Sequence, residues 1–270
     1  MNPVEEHFAA LARDGKKALM PYLTAGFPDM ATTGRLIEAL PVAGADVIEL
    51  GIPFSDPIAD GPVISSSFQD ALAAGVSHEA IFSELARVAG LIDTPILAMV
   101  SYSIVYRLHP SDYVRRASDA GLSGLIVPDL PIEEAPELAG LLDKANMAFV
   151  PLVAPTTPPD RRSRIAAAAT GFVYYQSALG ITGERDRLPA ELSEGVLTLK
   201  KNCNKSVCVG FGISRPEQVR KVVEVADGAI VGSAVVRRIR QAHDEGKDIV
   251  ESISRFITEL AGGLLTADRY

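Results

Sequence analysis

The chain has 270 residues, of which 47% are hydrophobic and 22% charged, with a formal net charge of -8. That acidic balance argues against a nucleic-acid surface, and an anionic substrate must be held by local donors such as backbone amides rather than by the overall field. No apolar run approaches the roughly 18 residues of a membrane span and no basic-then-apolar leader is visible, so a cytoplasmic chain without a membrane partner is expected.

In chain order, a helix is predicted first, over residues 4–13. Short runs rich in Val, Ile and Leu then predict strands at 18–23, 47–51, 95–100, 124–127, 148–152, 172–176, 206–209 and 229–231, each followed by helical periodicity. Such alternation is the pattern of a parallel sheet covered by helices. About eight units in a chain of this length predict an α/β fold, a (β/α)8 TIM barrel with an extra N-terminal helix, formed by residues 1–270 as a single catalytic domain. A doubly wound open sheet is the main alternative, but no Gly-x-Gly-x-x-Gly follows the first strand. The helix-to-strand connections carry Gly44, Gly121 and Gly228, suited to the left-handed residue that closes a helix. The strand-to-helix connections, notably 52–62, 102–110 and 177–189, are longer and hold the unusual residues, and in a barrel these form the catalytic face.

Three glycine-bearing turns point to a phosphate site. Gly210-Phe211-Gly212-Ile213-Ser214 follows the seventh strand, and Ser214 with Glu217 has the spacing of a capping box. Gly232-Ser233-Ala234 follows the eighth, and Gly180-Ile181-Thr182-Gly183 the sixth. Each glycine alone reads as a turn residue, but together, at the loops where barrels often bind phosphate, they predict an anion cradle of backbone amides. Arg237, Arg238 and Arg240 on the helix that follows read as a solvated face.

Glu49 lies in Val47-Ile48-Glu49-Leu50-Gly51, a strand expected to be buried on both faces. The bland reading is an ion pair, yet the neighbouring predicted strands offer no cation near it, so catalysis is the favoured reading. An apolar wall raises a carboxylic acid's pKa and lets it give and take protons near neutral pH. The following loop is stiffened by Pro53, Pro57 and Pro62 and carries two aspartates. Asp56 organises a turn, whereas Asp60 is equally a helix cap ahead of Pro62 or a substrate contact. Tyr22, Tyr102, Tyr174 and Phe211, at strand ends, could wall a site for a flat substrate or pack its rim. The four histidines are scattered at surface or loop positions, and Cys203 and Cys208 read as inert thiols, so no metal is expected.

Read together, these segments resemble the tryptophan synthase alpha chain family across nearly the whole length. The stretches carrying the resemblance are Tyr22-Leu23-Thr24-Ala25-Gly26-Phe27-Pro28-Asp29, residues 49–62, Pro128-Asp129-Leu130-Pro131, Gly180-Ile181-Thr182-Gly183, residues 209–214 and Ile230-Val231-Gly232-Ser233. What the resemblance implies is a carbon-carbon lyase of the last steps of tryptophan biosynthesis. It would cleave indole-3-glycerol phosphate to indole and glyceraldehyde 3-phosphate by a retro-aldol reaction. Glu49 and Asp60 would be catalytic, Gly183, Gly212, Gly232 and Ser233 would bind phosphate, and Tyr22, Tyr174, Thr182 and Phe211 would form the indole pocket and its lid. No cofactor would be needed in this chain, and pyridoxal phosphate would belong to a beta-chain partner in an alpha2beta2 assembly. That partner would contact residues 53–60, the loop after the third strand and residues 128–132. Two departures fall there: Ser103 stands where the family typically has asparagine, and His109 where it has glycine. A stand-alone lyase releasing free indole and a non-catalytic activator of a beta chain are the alternative functions.

Overall fold

A computed structural model describes residues 1–57, 61–176, 190–210 and 212–264. Helix α1 (Pro3–Arg13) precedes β1 (Ala18–Thr24), and α2 (Met30–Ala39) leads to β2 (Ile48–Gly51). Helices α3 (Pro62–Ala73) and α4 (His78–Ala89) come before β3 (Ile96–Met99), and α5 (Tyr102–Arg107) and α6 (Pro110–Asp119) before β4 (Gly124–Ile126). Next are α7 (Ala135–Lys144), β5 (Ala148–Val150), β6 (Leu152–Val153), α8 (Pro159–Ala168) and β7 (Phe172–Gln176). The chain continues with α9 (Ala190–Asn202), β8 (Ser206–Gly210), α10 (Pro216–Val223), β9 (Gly228–Val231), α11 (Ser233–Asp244) and α12 (Ile249–Ala261).

All pairings are parallel, in the order β5-β4-β3-β2-β1-β9-β8-β7-β6. The strand predicted over 148–152 is thus two short strands with Pro151 between them. Proline has no N–H to give to a ladder, so β5 pairs with β4 while β6 pairs with β7. The Pro151 carbonyl still accepts from the Tyr174 N–H at 3.1 Å, so the two ends of the order meet and the barrel closes. This is the expected TIM-barrel architecture with its additional N-terminal helix.

Strand alternation sorts the core into two shells. Inward residues such as Met20, Leu97, Ile126, Val150, Phe172 and Ile230 pack inside the barrel. Outward ones such as Leu19, Ile48, Val173 and Val209 meet the apolar faces of the helices. Burying each such side chain stabilises the fold by roughly 1.5–3 kcal/mol. Helix α1 closes the barrel's N-terminal end: Val4, Phe8 and Leu11 join the interior cluster, and the Phe8 ring lies 5.3 Å from that of Phe172. Only the opposite end is left for a site.

Some local expectations change. Gly44 and Gly121 take positive φ values of 103° and 85° as predicted, but Gly228 does not; it opens β9, where a Cβ would lie 2.8 Å from the Cys208 Sγ. The capping box expected from Ser214 and Glu217 is displaced by one residue. Pro216, whose fixed φ and missing N–H suit the first helical position, opens α10, and Gln218 rather than Glu217 accepts from the Ser214 and Arg215 N–H groups at 2.8 and 3.1 Å. Arg240 is not simply solvated: it donates to Asp70 at 2.6 Å and lies over the Phe27 ring.

Candidate active site

The open end holds a cavity of about 160 Å³. Its floor includes Glu49, in register between Tyr22 of β1 and Leu97 of β3. The side chain is fully buried, and among the described residues neither carboxyl oxygen has a hydrogen-bond partner. Burial therefore pushes its pKa from 4.5 up to about 8. Holding the proton is how a buried acid avoids the cost of an unpaired charge, so at neutral pH this group is a neutral acid facing a cavity.

The walls are built by the inward phase of the strands. Met99, Leu152 and Ile230 contribute apolar surface, with Ile64 of α3 above them. Two aromatic side chains need glycine neighbours. A Cβ on Gly51 would lie 1.8 Å from the Tyr22 hydroxyl, and one on Gly210 would lie 2.7 Å from that of Tyr174. Both tyrosines line the cavity, so these glycines make room for the walls rather than simply ending strands.

On one side the lining includes Gly232 and Ser233, where α11 begins. The first N–H groups of a helix have no intrahelical carbonyl, and the helix dipole favours an anion there. A Cβ on Gly232 would meet Ile64 and Tyr22 at 3.6 and 3.8 Å, ordinary contact distances, so the bare backbone here stands directly beside two walls of the cavity. Gly212 lies at the exposed turn after β8, with φ 22°.

Of the other predicted site residues, Asp60, Thr182, Gly183 and Phe211 lie outside the described residues. The cap position of α3 is taken by Gly61, with Pro62 as first helical residue, and Gly61 borders the cavity. Asp56 accepts from the Ser55 hydroxyl at 2.6 Å at an exposed bend and borders a second pocket, beside the loops that follow β3 and β4. Tyr102 does not line the cavity; it opens α5 with its ring 6.1 Å from that of Tyr106. The loops after β3 and β4 are joined by Asp129, which accepts from the Ser101 hydroxyl at 2.6 Å and the Tyr102 N–H at 2.8 Å. Phe54, Pro57, Ser101 and Asp129 thereby come together around a neighbouring pocket of about 70 Å³. His109 has φ 62° and ψ 122° at the start of α6, a backbone conformation that favours glycine. Among the described residues no group of three or more His, Cys, Asp or Glu side chains could hold a metal ion, and no helix is long and apolar enough to cross a membrane.

Sequence reasoning missed Gln176, which lines the cavity, and the clearing roles of Gly51 and Gly210. The signal for Gln176 was available: it follows Tyr174 at the two-residue period, a polar side chain at the inward end of an otherwise apolar strand.

The family model for the tryptophan synthase alpha chain matches residues 8–264. The chain belongs to the tryptophan synthase alpha chain family. An alpha chain from Rhodopirellula baltica is 45% identical over 250 residues, covering 92% of this chain and 90% of the relative. One from Caldanaerobacter subterraneus is 39% identical over 260 residues, covering 96% and 98%. The crystal structure of the alpha subunit from Legionella pneumophila superposes with a TM-score of 0.90 at 32% identity, over 98% of each chain. The aminoacrylate-bound form of tryptophan synthase from M. tuberculosis gives 0.87 at 28% identity, over 98% of this chain and 100% of that one. Membership makes the chain a lyase of tryptophan biosynthesis in the alpha-subunit role, with retro-aldol cleavage of indole-3-glycerol phosphate as its reaction.

Proposed function

We propose that Glu49 is the acid and base of this cleavage, a reading carried by its buried carboxyl, which has no hydrogen-bond partner among the described residues and faces a cavity bordered by the start of α11. The protonated carboxyl gives its proton to the indole ring carbon that bears the glycerol chain, and Asp60 stabilises the positive charge that develops at the ring N–H. The bond to the chain then breaks. Its electron pair returns to the ring, the adjacent hydroxyl becomes the aldehyde, and the hydroxyl proton goes to Glu49, which ends as it began. Gly183, Gly212, Gly232 and Ser233 hold the phosphate through backbone amides, which supply charge complementarity that an acidic chain lacks overall. Tyr22, Tyr174 and Phe211 enclose the indole, with Thr182 on the lid.

Proton transfer, hydrogen bonding and enclosure suffice for this chemistry, so the chain needs no cofactor of its own, and residues 1–270 act as one catalytic domain. The partner is a pyridoxal-phosphate-dependent beta chain in a cytoplasmic alpha2beta2 assembly. The loops joined through Asp129, together with Phe54 and Pro57, form its docking face, with Ser103 and His109 tuning the contact.

Indole release by the purified chain, with and without the beta chain of the same organism, tests this reading. Slow release that rises at least tenfold with the partner, on the order expected when docking aligns a proton donor, supports it. Fast release indifferent to the partner favours a stand-alone lyase, and binding without any cleavage a non-catalytic activator.

A further inference from the structure

We propose that Gln176 recognises the hydroxyl-bearing carbons of the substrate and so positions the reacting carbon against Glu49. This rests on the reading of the substrate given above and adds to it a specificity residue.

Three observations converge. First, Gln176 is half-buried and lines the same cavity as Glu49, in the inward phase set by Phe172 and Tyr174. Second, the strand order places β9 two strands from β2 in one direction and two from β7 in the other. The Gly232–Ser233 turn that follows β9 is therefore flanked by Glu49 on one side and Gln176 on the other. In the closed barrel β2 and β7 thus face one another across the cavity, so a substrate anchored by its phosphate at that turn, with its ring near Glu49, holds its two hydroxyl groups in space that Gln176 also lines. Third, Gln176 pairs in register with Gly210, which has no side chain, and no hydrogen bond among the described residues occupies its carboxamide.

The chemistry fits that position. A carboxamide both donates and accepts at every working pH, as a diol requires, and adds no charge beside a carboxyl already held neutral. The half-buried carboxamide faces the cavity, where a substrate hydroxyl can take the place of water as its partner. The other candidates are committed: Ser233 belongs to the phosphate turn, and the Tyr22 and Tyr174 rings are pressed towards Gly51 and Gly210.

The test compares two ligands on Gln176→Leu, which keeps the volume and removes the carboxamide. Indole-3-propanol phosphate retains ring and phosphate but has neither hydroxyl. The expected result is a fall in kcat/KM for indole-3-glycerol phosphate of about five- to tenfold, the size of one lost hydrogen bond, with the Kd of the propanol phosphate within about twofold of wild type. An equal loss for both ligands, or no loss for either, overturns the proposal. Gln176→Met provides the same comparison if the leucine variant does not fold. Wild type that binds the propanol phosphate yet releases no indole from indole-3-glycerol phosphate brings down the underlying catalytic reading instead, a result the variants are not needed to see.

Discussion

Glu49 and Asp227 are carboxylates of one barrel, placed towards opposite ends of its strands, and they are treated in opposite ways. Asp227, just before β9, sits at the end that α1 closes. Desolvation would raise its pKa, but hydrogen bonds from Lys200 at 2.6 Å, the Val207 N–H at 3.1 Å and Lys17 at 3.0 Å outweigh it and hold the group below its ordinary value. Glu49 has no partner among the described residues and is pushed up to about 8. A satisfied carboxylate fastens strands and does no chemistry; an unsatisfied one in a cavity stores a transferable proton. The difference separates the part of the molecule that stabilises from the part that reacts.

The largest expected effect breaks the reactive side. Glu49→Gln, near-identical in shape, should lower kcat/KM by on the order of 10² to 10⁴ while leaving the affinity of a non-cleavable phosphate ligand within a few fold. Equal loss of both would remove Glu49 from the chemistry. In wild type, kcat/KM should fall as pH rises through about 8, because the proton-bearing acid is then lost. Stability follows the same sign: a carboxyl whose folded pKa is raised loses stability as pH climbs from 4.5 to about 8. Urea melts of Glu49→Gln should therefore show a gain over wild type that grows across that window.

Asp227→Asn sharpens the other side. It should cost about 1–2 kcal/mol in urea unfolding at neutral pH, a figure discounted for partial exposure, with kcat/KM within about twofold. Because the folded pKa is lowered, its contribution is present above the unfolded value of 3.8 and is lost as pH falls through the folded one, so the deficit of the variant should shrink in acid. A large activity loss in Asp227→Asn would contradict the division of labour.

The smallest effect concerns backbone strain, found on the catalytic face. His109→Gly should raise stability by about 1 kcal/mol, since φ 62° with ψ 122° is strained for any residue with a Cβ. A loss of stability would mean that the imidazole makes contacts that outweigh the strain.

The barrel was legible because its signals are local. Short continuous apolar runs, the proline that opens α3 and the glycines at 44 and 121 each specify their own backbone. Glu49 was legible for a related reason, as a charged residue in a run that had to be buried. Where neighbours across space decide, reading failed or stayed open. The break at Pro151 depends on which strands flank it, and Gly228 serves β9 because Cys208 and Ala18 stand beside it. Arg240 finds Asp70 from 170 positions away.

The sequence by itself therefore determined the architecture, the buried acid and the glycines at 44 and 121 that close helices, all products of short-range pattern and backbone preference. Only the tertiary structure decided that Tyr22, Glu49, Tyr174, Gln176 and Gly232 share one cavity, that Glu49 has no partner there among the described residues, and that Gly51 and Gly210 are empty so that two rings can stand. Those facts arise when the barrel closes and brings distant strand ends within a few ångströms, and no spacing along the chain encodes such a distance.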